Sequence, residues 1–369
     1  MKQRTKILFL ILAALLALSA CSSGTSLVPE ETTETEVPAS TTEEEVITVE
    51  GNKEELRAAT EAYFDGFDEE VYYVGPTRDY TSFVELLLDL EGNSAKKTIY
   101  IDEGEYDLFR EYELAVAVDR LVIPPDDVVS SNYMGKYNAF VPNNTRIVGQ
   151  GKVTLRFTPD KDDISYGASR TWSPLNIYGS VMIENVNVRV KNCRYALHND
   201  DHNKYPGSRQ YYKNCRFVYE LSDKDANGRL LGFNNTIGYG VNTNSVHVFD
   251  NCEIFFDGEG QHSAFYGHNP SGTKPGEGEI LLTRCHIHAS DESNLRVIRL
   301  QTLSTGVAGH VVTTIDRCKV NGGLTLNLYN SGSIQSYEVT YFHTAHQPVD
   351  RTHSKEEPFE DPYEIRYVD

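Results

Sequence analysis

The chain has 369 residues, with 34 Lys and Arg against 54 Asp and Glu, and a formal net charge of −20. This balance argues against a nucleic-acid-binding protein, which needs clustered Lys and Arg to displace counterions from phosphates. With 39% hydrophobic residues and 23 Tyr, the chain can bury a sizeable core, and its length suits either two ordinary domains or one large all-β or repeat domain.

Residues 1–20 read as an export signal, because Lys2, Arg4 and Lys6 precede an apolar run from Ile7 to Leu18. That run is too short for a comfortable transmembrane helix. It closes on "LSAC", which resembles the lipobox of bacterial lipoproteins, where the signal is cut before a Cys that then receives the lipid. The resemblance implies lipidation at Cys21, export, and attachment to a bacterial membrane through lipid alone. An ordinary secretory signal cut after Ala20 is the alternative. Residues 22–50 are dominated by Glu, Thr, Ser and Pro, with eight Glu and no Lys or Arg. Such a segment buries too little apolar surface to offset its ordering entropy, so residues 21–50 are expected to be the lipidated Cys and a solvated tether.

Helical signals follow early. "NKEELRAATEAYFDGF" predicts an N-terminal helix within residues 51–69, with Asn52 as N-cap, and "YTSFVELLLDL" repeats that grammar at Thr81 and Ser82. "KTIYIDEGEYDL" alternates like a strand and turns at Glu103-Gly104. From there to about residue 341 the chain reads as short β-type runs punctuated by Asn, Gly and Asp, with no 3.6-residue apolar period sustained over three turns. Residues 342–369 read as a C-terminal tail.

An internal repeat organises these runs. When "VMIENVNVRV", "YYKNCRFVYE", "VFDNCEIFFD", "LLTRCHIHAS" and "TIDRCKVNGG" are stacked, Val186, Cys215, Cys252, Cys285 and Cys318 share a column, at intervals of 29, 37, 33 and 33 residues. Asn185, Asn214, Asn251, Arg284 and Arg317 precede the column. A recurring apolar column at such spacing is the mark of a solenoid, in which each coil buries its inward face only against its neighbours. The β-rich, Gly- and Asn-punctuated composition selects a β-solenoid. These segments, with the opening "YTSFVELLLDL…KTIYIDEGEYDL" and the coil "NNTRIVGQGKVTLRF", resemble the right-handed parallel β-helix of the pectate lyase and pectin lyase-like superfamily over residues 70–341. The resemblance implies an all-β solenoid with a short N-terminal helical cap. It does not choose a reaction, since the superfamily holds lyases, hydrolases, esterases, epimerases, phage depolymerases and adhesins.

Besides Cys21 the chain has Cys193, Cys215, Cys252, Cys285 and Cys318. Four of these occupy the inward column, where small apolar packing is the expected role and the thiols remain buried and unpaired. No CxxC or Cys/His spacing suggests zinc.

Counting on from this column reaches "ALHNDDHN", "GFNNTIGYG", "AFYGHNP", "RVIRLQT" and "LTLNLYN" in successive coils. Polar residues thereby gather on one long face: His198, Asp200, Asp201 and His202, then Asn234 and Asn235, His268, Arg296, Arg299 and Gln301, and Asn327. In a parallel sheet, residues level in the repeat become neighbours at strand spacing. His198, Asp200, Asp201, His268 and Arg299 are the candidate catalytic residues, with imidazoles and carboxylates for proton exchange and a guanidinium to hold an anion. Asp200 and Asp201 equally suit Ca²⁺ as hard oxygen ligands, and "HNDDHN" also suits a polar turn. His202, Asn235, Tyr266, Arg296 and Gln301 are candidate substrate contacts, and Tyr205, Tyr211, Tyr212, Tyr239 and Tyr266 offer flat faces suited to sugar rings. The polygalacturonase-like letters "NTD", "DD", "GHG" and "RIK" meet only "HNDD", "YGHN" and "RVIR" here, so those roles are not transferred. The pectate lyase pattern is matched loosely by Asp200, Asp201 and Arg299.

The expected function is action on an extended, acidic polysaccharide or cell-surface glycan, by a lyase or a glycoside hydrolase. A non-catalytic glycan-binding or adhesive surface protein is the alternative. The anchor is testable directly: Cys21→Ala is expected to move the protein from the detergent phase to the aqueous phase in phase partitioning, and unchanged membrane retention refutes it.

Overall fold

In "VMIENVNVRV" the side chains of Val181 and Ile183 are buried, as are those of Val186, Val188 and Val190, with Met182 between the first two and Asn187 and Arg189 between the others. The period of two is that of a strand, and the three-residue step from Ile183 to Val186 is a corner at which the parity resets. The computed structural model describes residues 49–127, 136–199, 204–240, 244–260, 262–268, 277–292, 295–302, 310–321, 324–330, 336–342, 351–353 and 363–368. Within them the chain winds as a parallel β-helix with three walls.

The first wall stacks the start of Val181–Val190 on Arg209–Lys213, Ser245–Asp250, Glu277–Thr283, His310–Asp316, Ser336–Phe342 and Tyr363–Val368. The second continues each coil past the corner, through the end of Val181–Val190 to Arg216–Glu220, Glu253–Asp257, His286–Ala289 and Lys319–Val320. The third stacks Leu175–Ile177, Leu197–Asn199, Asn235–Gly240, His262–His268, Leu295–Thr302, Leu324–Asn330 and Arg351–His353. Glu70–Val74 opens the solenoid against Lys97–Asp107, and this strand and Thr145–Phe157 run through both of the first two walls.

The corner between the first and second walls has a chemical cause. Asn185, Asn214, Asn251, Arg284 and Arg317 all adopt left-handed backbone, with φ of 57°, 52°, 52°, 57° and 49°. Asn enters that region more readily than most non-glycine residues. The asparagines also ladder: Asn214 Nδ2 donates to Asn185 Oδ1 at 3.1 Å and Asn251 Nδ2 to Asn214 Oδ1 at 2.8 Å. Where Arg replaces Asn, a carboxylate holds it, Asp250 accepting from Arg284 Nε at 3.0 Å and Asp316 from Arg317 Nε at 2.8 Å. Backbone pairing passes through the bend, as in the 3.0 Å bond from Asn251 N to Thr283 O and the 2.9 Å bond from Glu253 N to Cys215 O.

Asn187, Arg216, Glu253, His286 and Lys319 are level with one another, so the preceding residues, Val186 and the four cysteines, form the expected column. All five are buried, and none of the four cysteines is joined in a disulfide. Each Sγ lies against two carbonyls, Cys252 Sγ against Tyr212 O at 3.4 Å and Asp250 O at 3.5 Å. Burial pushes the thiols of Cys193, Cys252 and Cys318 up, away from the reactive thiolate.

The helices differ from expectation at three points. The first, α1, spans Val49–Ala62, so Asn52 lies inside it and not at its N-cap. It packs on the outside of the first wall, where Leu56, Phe64 and Phe67 cover Met182, Tyr211, Val248 and Leu281. Helix α2, Phe83–Asp89, is capped by Ser82 as expected, the hydroxyl accepting from Glu85 N at 3.1 Å. Helices α3, Leu108–Ala117, and α4, Tyr166–Thr171, were not expected. In α3 only Leu108, Tyr112 and Ala115 are buried, too short an apolar stripe to fill three turns. Residues 342–369, read as a tail, contribute Arg351–His353 and Tyr363–Val368, and the latter alternates as a strand should.

The corner generates a test. Asn251→Val is expected to cost more stability than Asn251→Gly in urea unfolding, by about 1–2 kcal/mol, because valine opposes positive φ and glycine accepts it. Equal costs would mean that the side-chain ladder alone holds the bend.

Candidate functional site

The three outer walls are unlike. Helix α1 covers the first, and Arg57 from that helix meets Tyr211 OH at 2.9 Å and the buried Asp250 at 3.4 Å. The second is laced by ion pairs across its strands, Arg189 with Glu220 at 2.5 Å and Arg216 with Glu253 at 2.5 Å, and His288 Nε2 lies 2.9 Å from Glu253 Oε1. The third gathers aromatic rings and guanidinium groups.

Pairing in the third wall sets two relevant columns. One places Asn176, His198, Gly238, Tyr266, Arg299, Asn327 and Thr352 level. The other places Gly240, His268 and Gln301 level. Gly238 is the informative member. A Cβ there would stand 2.7 Å from the Tyr195 ring, so the missing side chain is the space that the ring fills. Tyr195 thereby stacks on His198, centroids 5.0 Å apart at 17°, and on Tyr266, 6.2 Å apart at 23°.

The stack continues beyond the strands. Phe233 lies 5.5 Å from Tyr195, and the Arg194 guanidinium sits 5.3 Å from Tyr195 and 5.9 Å from Phe233. Arg170, at the end of α4, stands 3.8 Å from the centroid of Phe233 and 5.7 Å from that of Tyr166, and Arg229 stands 3.8 Å from Tyr166. Three guanidinium groups thus alternate with three rings, at distances where cation–π attraction operates. Arg194 and Tyr195 are buried beneath, whereas Tyr166, Arg170, Arg229, Phe233 and Tyr266 are half-buried and present the stack at the surface.

His198 is held by its column neighbour. Its Nδ1 lies 3.3 Å from Asn176 Oδ1, and Asn176 Nδ2 donates to Ser173 O at 2.9 Å and to Asn138 Oδ1 at 3.1 Å. With the amide nitrogen committed to acceptors, Nδ1 of His198 is assigned as the donor. At 6% exposure, however, His198 supports the stack from below and does not reach a ligand in this arrangement.

The expected site residues therefore separate. Tyr266 and Arg299 are level on adjacent strands, as are His268 and Gln301. His198 lies three strand spacings from Arg299, ~14 Å, so these two do not converge on one bond. Arg296 is level with Ser263 and Asn235, at the opposite strand parity from Arg299. Asn235 is buried, and so are Tyr211, Tyr212 and Tyr239, which removes all four as ligand contacts. Asp200, Asp201 and His202 lie outside the described residues, and no group of three or more metal-ligating side chains is placed to hold an ion among the described residues. Sequence reasoning missed Tyr166, Arg170, Arg194, Tyr195 and Phe233. All five lie between strands, where the repeat carries no column, although Gly238 in a strand was a readable sign that something approaches closely.

No family model matches the chain, and no curated protein matches it. Among solved structures, the chain is similar to the pectin methylesterase from Aspergillus niger in penultimately deglycosylated form, with 12% identity over 80% of this chain and 90% of that one and a TM-score of 0.36. The deglycosylated form of that enzyme gives 11% identity over 80% and 90%, TM-score 0.35. Pectin methylesterase PemA from Erwinia chrysanthemi gives 11% over 78% and 93%, TM-score 0.28. Likeness at this level transfers neither a reaction nor a residue role.

The packing of Tyr195 over Gly238 predicts a non-additive pair. Gly238→Ala is expected to destabilise the protein by ~1–3 kcal/mol through overpacking, and to cost far less in a Tyr195→Ala background. Additive costs in thermal or urea unfolding would show that the ring does not occupy the space above Gly238.

Proposed function

We propose that this protein is exported, anchored through a lipidated Cys21, and binds an extended acidic polysaccharide lengthwise along the third wall. The observation that carries the reading is the alternation of guanidinium groups with aromatic rings on one face of an otherwise acidic chain. Aromatic faces suit the apolar side of a sugar ring, and a guanidinium fork suits a carboxylate; Arg229 already holds Asp225 at 2.6 Å and Arg194 is buried, so that contact falls to the half-buried Arg170. Tyr266 carries the stack onto the strands, where level residues such as Tyr266 and Arg299 recur at a step of ~4.8 Å that suits a polymer more than a small molecule. No helix among the described residues is long and apolar enough to cross a membrane, and the proposed attachment is by lipid alone.

Chain cleavage is a second reading, favoured by the register of Tyr266 with Arg299 and of His268 with Gln301 on neighbouring strands. It brings the residue types for holding a uronate and moving a proton into one region. A lyase using Asp200 and Asp201 for Ca²⁺ would lose activity with chelator, and a metal-free hydrolase would not.

The test is a panel of acidic and neutral polysaccharides, read for binding by affinity electrophoresis and for products as new reducing ends and unsaturated uronates. Retardation by an acidic polymer is expected, and Tyr266→Ala should weaken it about tenfold, the worth of one stacked ring. Products of either kind decide for cleavage. Absence of binding to every acidic polymer refutes the proposal.

A further inference from the structure

We infer that Phe140 and Tyr178, with Lys204, form a separate stacking subsite for one acidic sugar ring at the N-terminal end of the third wall. The inference rests on the polysaccharide reading above and deepens it, by giving the polymer a second point of attachment and hence a minimum length.

Phe140 and Tyr178 lie face to face, with centroids 4.2 Å apart and an interplanar angle of 6°. Parallel stacking with a small offset is an arrangement that aromatic pairs favour, and it becomes a rigid platform where the backbone holds the rings. The backbone does so on both sides of Phe140. Trp172 Nε1 donates to Tyr137 O at 2.7 Å, Asn138 Nδ2 to Thr171 O at 3.3 Å, and Ala139 N to Tyr112 OH at 3.3 Å. Val141 N donates to Asn176 O at 2.7 Å and Tyr178 N to Val141 O at 3.0 Å. Both rings are nonetheless half-buried and not sealed in the core. A rigid aromatic platform open at the surface is preorganised for stacking and loses little entropy on binding.

Lys204 supplies the charge. Its ammonium stands 5.7 Å from the Tyr178 centroid and 5.3 Å from that of Tyr205, on an exposed side chain. Since Phe140 fills one face of Tyr178, the ammonium stands over the other. The four-carbon stem swings readily. A sugar ring displacing the ammonium from the tyrosine face would leave that charge at the ring's edge, where a carboxylate is met.

Register places this platform in line with the rest of the face. Ile177 is level with Asn199, Tyr239, Gly267 and Leu300. Tyr178 follows Ile177 directly. Ile177 lies three strand spacings from Gly267, ~14 Å, which a disaccharide does not bridge and a longer oligomer does.

The experiment titrates the full chain with a galacturonate dimer and a galacturonate hexamer. Tyr178→Ala is expected to weaken the hexamer about tenfold and leave the dimer unchanged. Tyr178→Phe, which keeps the platform, should bind both like the wild type, and Lys204→Met should lower hexamer affinity together with its salt dependence. Tyr266→Ala should weaken both oligomers. A Tyr178→Ala protein that binds the hexamer as tightly as the wild type overturns the subsite while leaving the polysaccharide reading standing. A wild-type protein that binds neither oligomer overturns the subsite, and one that also binds no acidic polymer of the panel overturns the polysaccharide reading with it. Should Tyr178→Ala fail to fold, Lys204→Met decides alone, and unchanged hexamer affinity overturns the subsite.

Discussion

The left-handed residue that turns each coil from the first wall into the second is the constraint on which the rest depends. Residues with positive φ at Asn185, Asn214, Asn251, Arg284 and Arg317 reset the inward parity of the strands. The following residue therefore points into the core in every coil, and Val186 and four cysteines stack there. Each corner is satisfied by its neighbours, through the asparagine ladder or an Arg–Asp pair, so the bend propagates as a property of the stack. The register that follows makes distant residues level, and every surface argument about this protein is an argument about that register.

Given such a frame, the three outer faces take different fates according to which side chains the strands point outward. Apolar outward residues on the first wall, Tyr211, Val248 and Leu281 among them, would be an exposed strip without α1. The second wall points out opposite charges at cross-strand neighbours, which satisfies them locally. The third wall has Gly238 where its neighbours carry large side chains, and Tyr195 lies down in that gap. The ring converts a column of separate residues into a continuous stack, and Phe233 and three arginines extend it across the edge of the wall.

Depth separates the groups that read alike in sequence. His198 and Tyr195 are buried supports, while Tyr266 reaches the surface. His247, close behind Asn199 inside the coil, has its pKa pushed down to about 4 by burial, with Arg209 adding repulsion, and so stays neutral in the core. Burial likewise pushes the column thiols of Cys252 and Cys318 up, away from the reactive thiolate.

The solenoid was legible in the amino-acid order because its cause is local and repeated: the Asn or Arg before each column residue, and the alternation of small apolar with polar residues on either side. Strand register followed from the same column, and so did the burial of the cysteines. What the order of residues left open is the ligand face. Tyr166, Arg170, Arg194, Tyr195 and Phe233 come from α4 and from turns, which obey no repeat, and Phe140 meets Tyr178 across a separation of 38 residues. A repeat specifies which residues are level but not which of them are covered. Asn235 and Tyr239 take the inward parity of their strand, whereas whether His198 meets solvent depends on how the segments between strands fold back over the wall, and that is decided only when the coil closes.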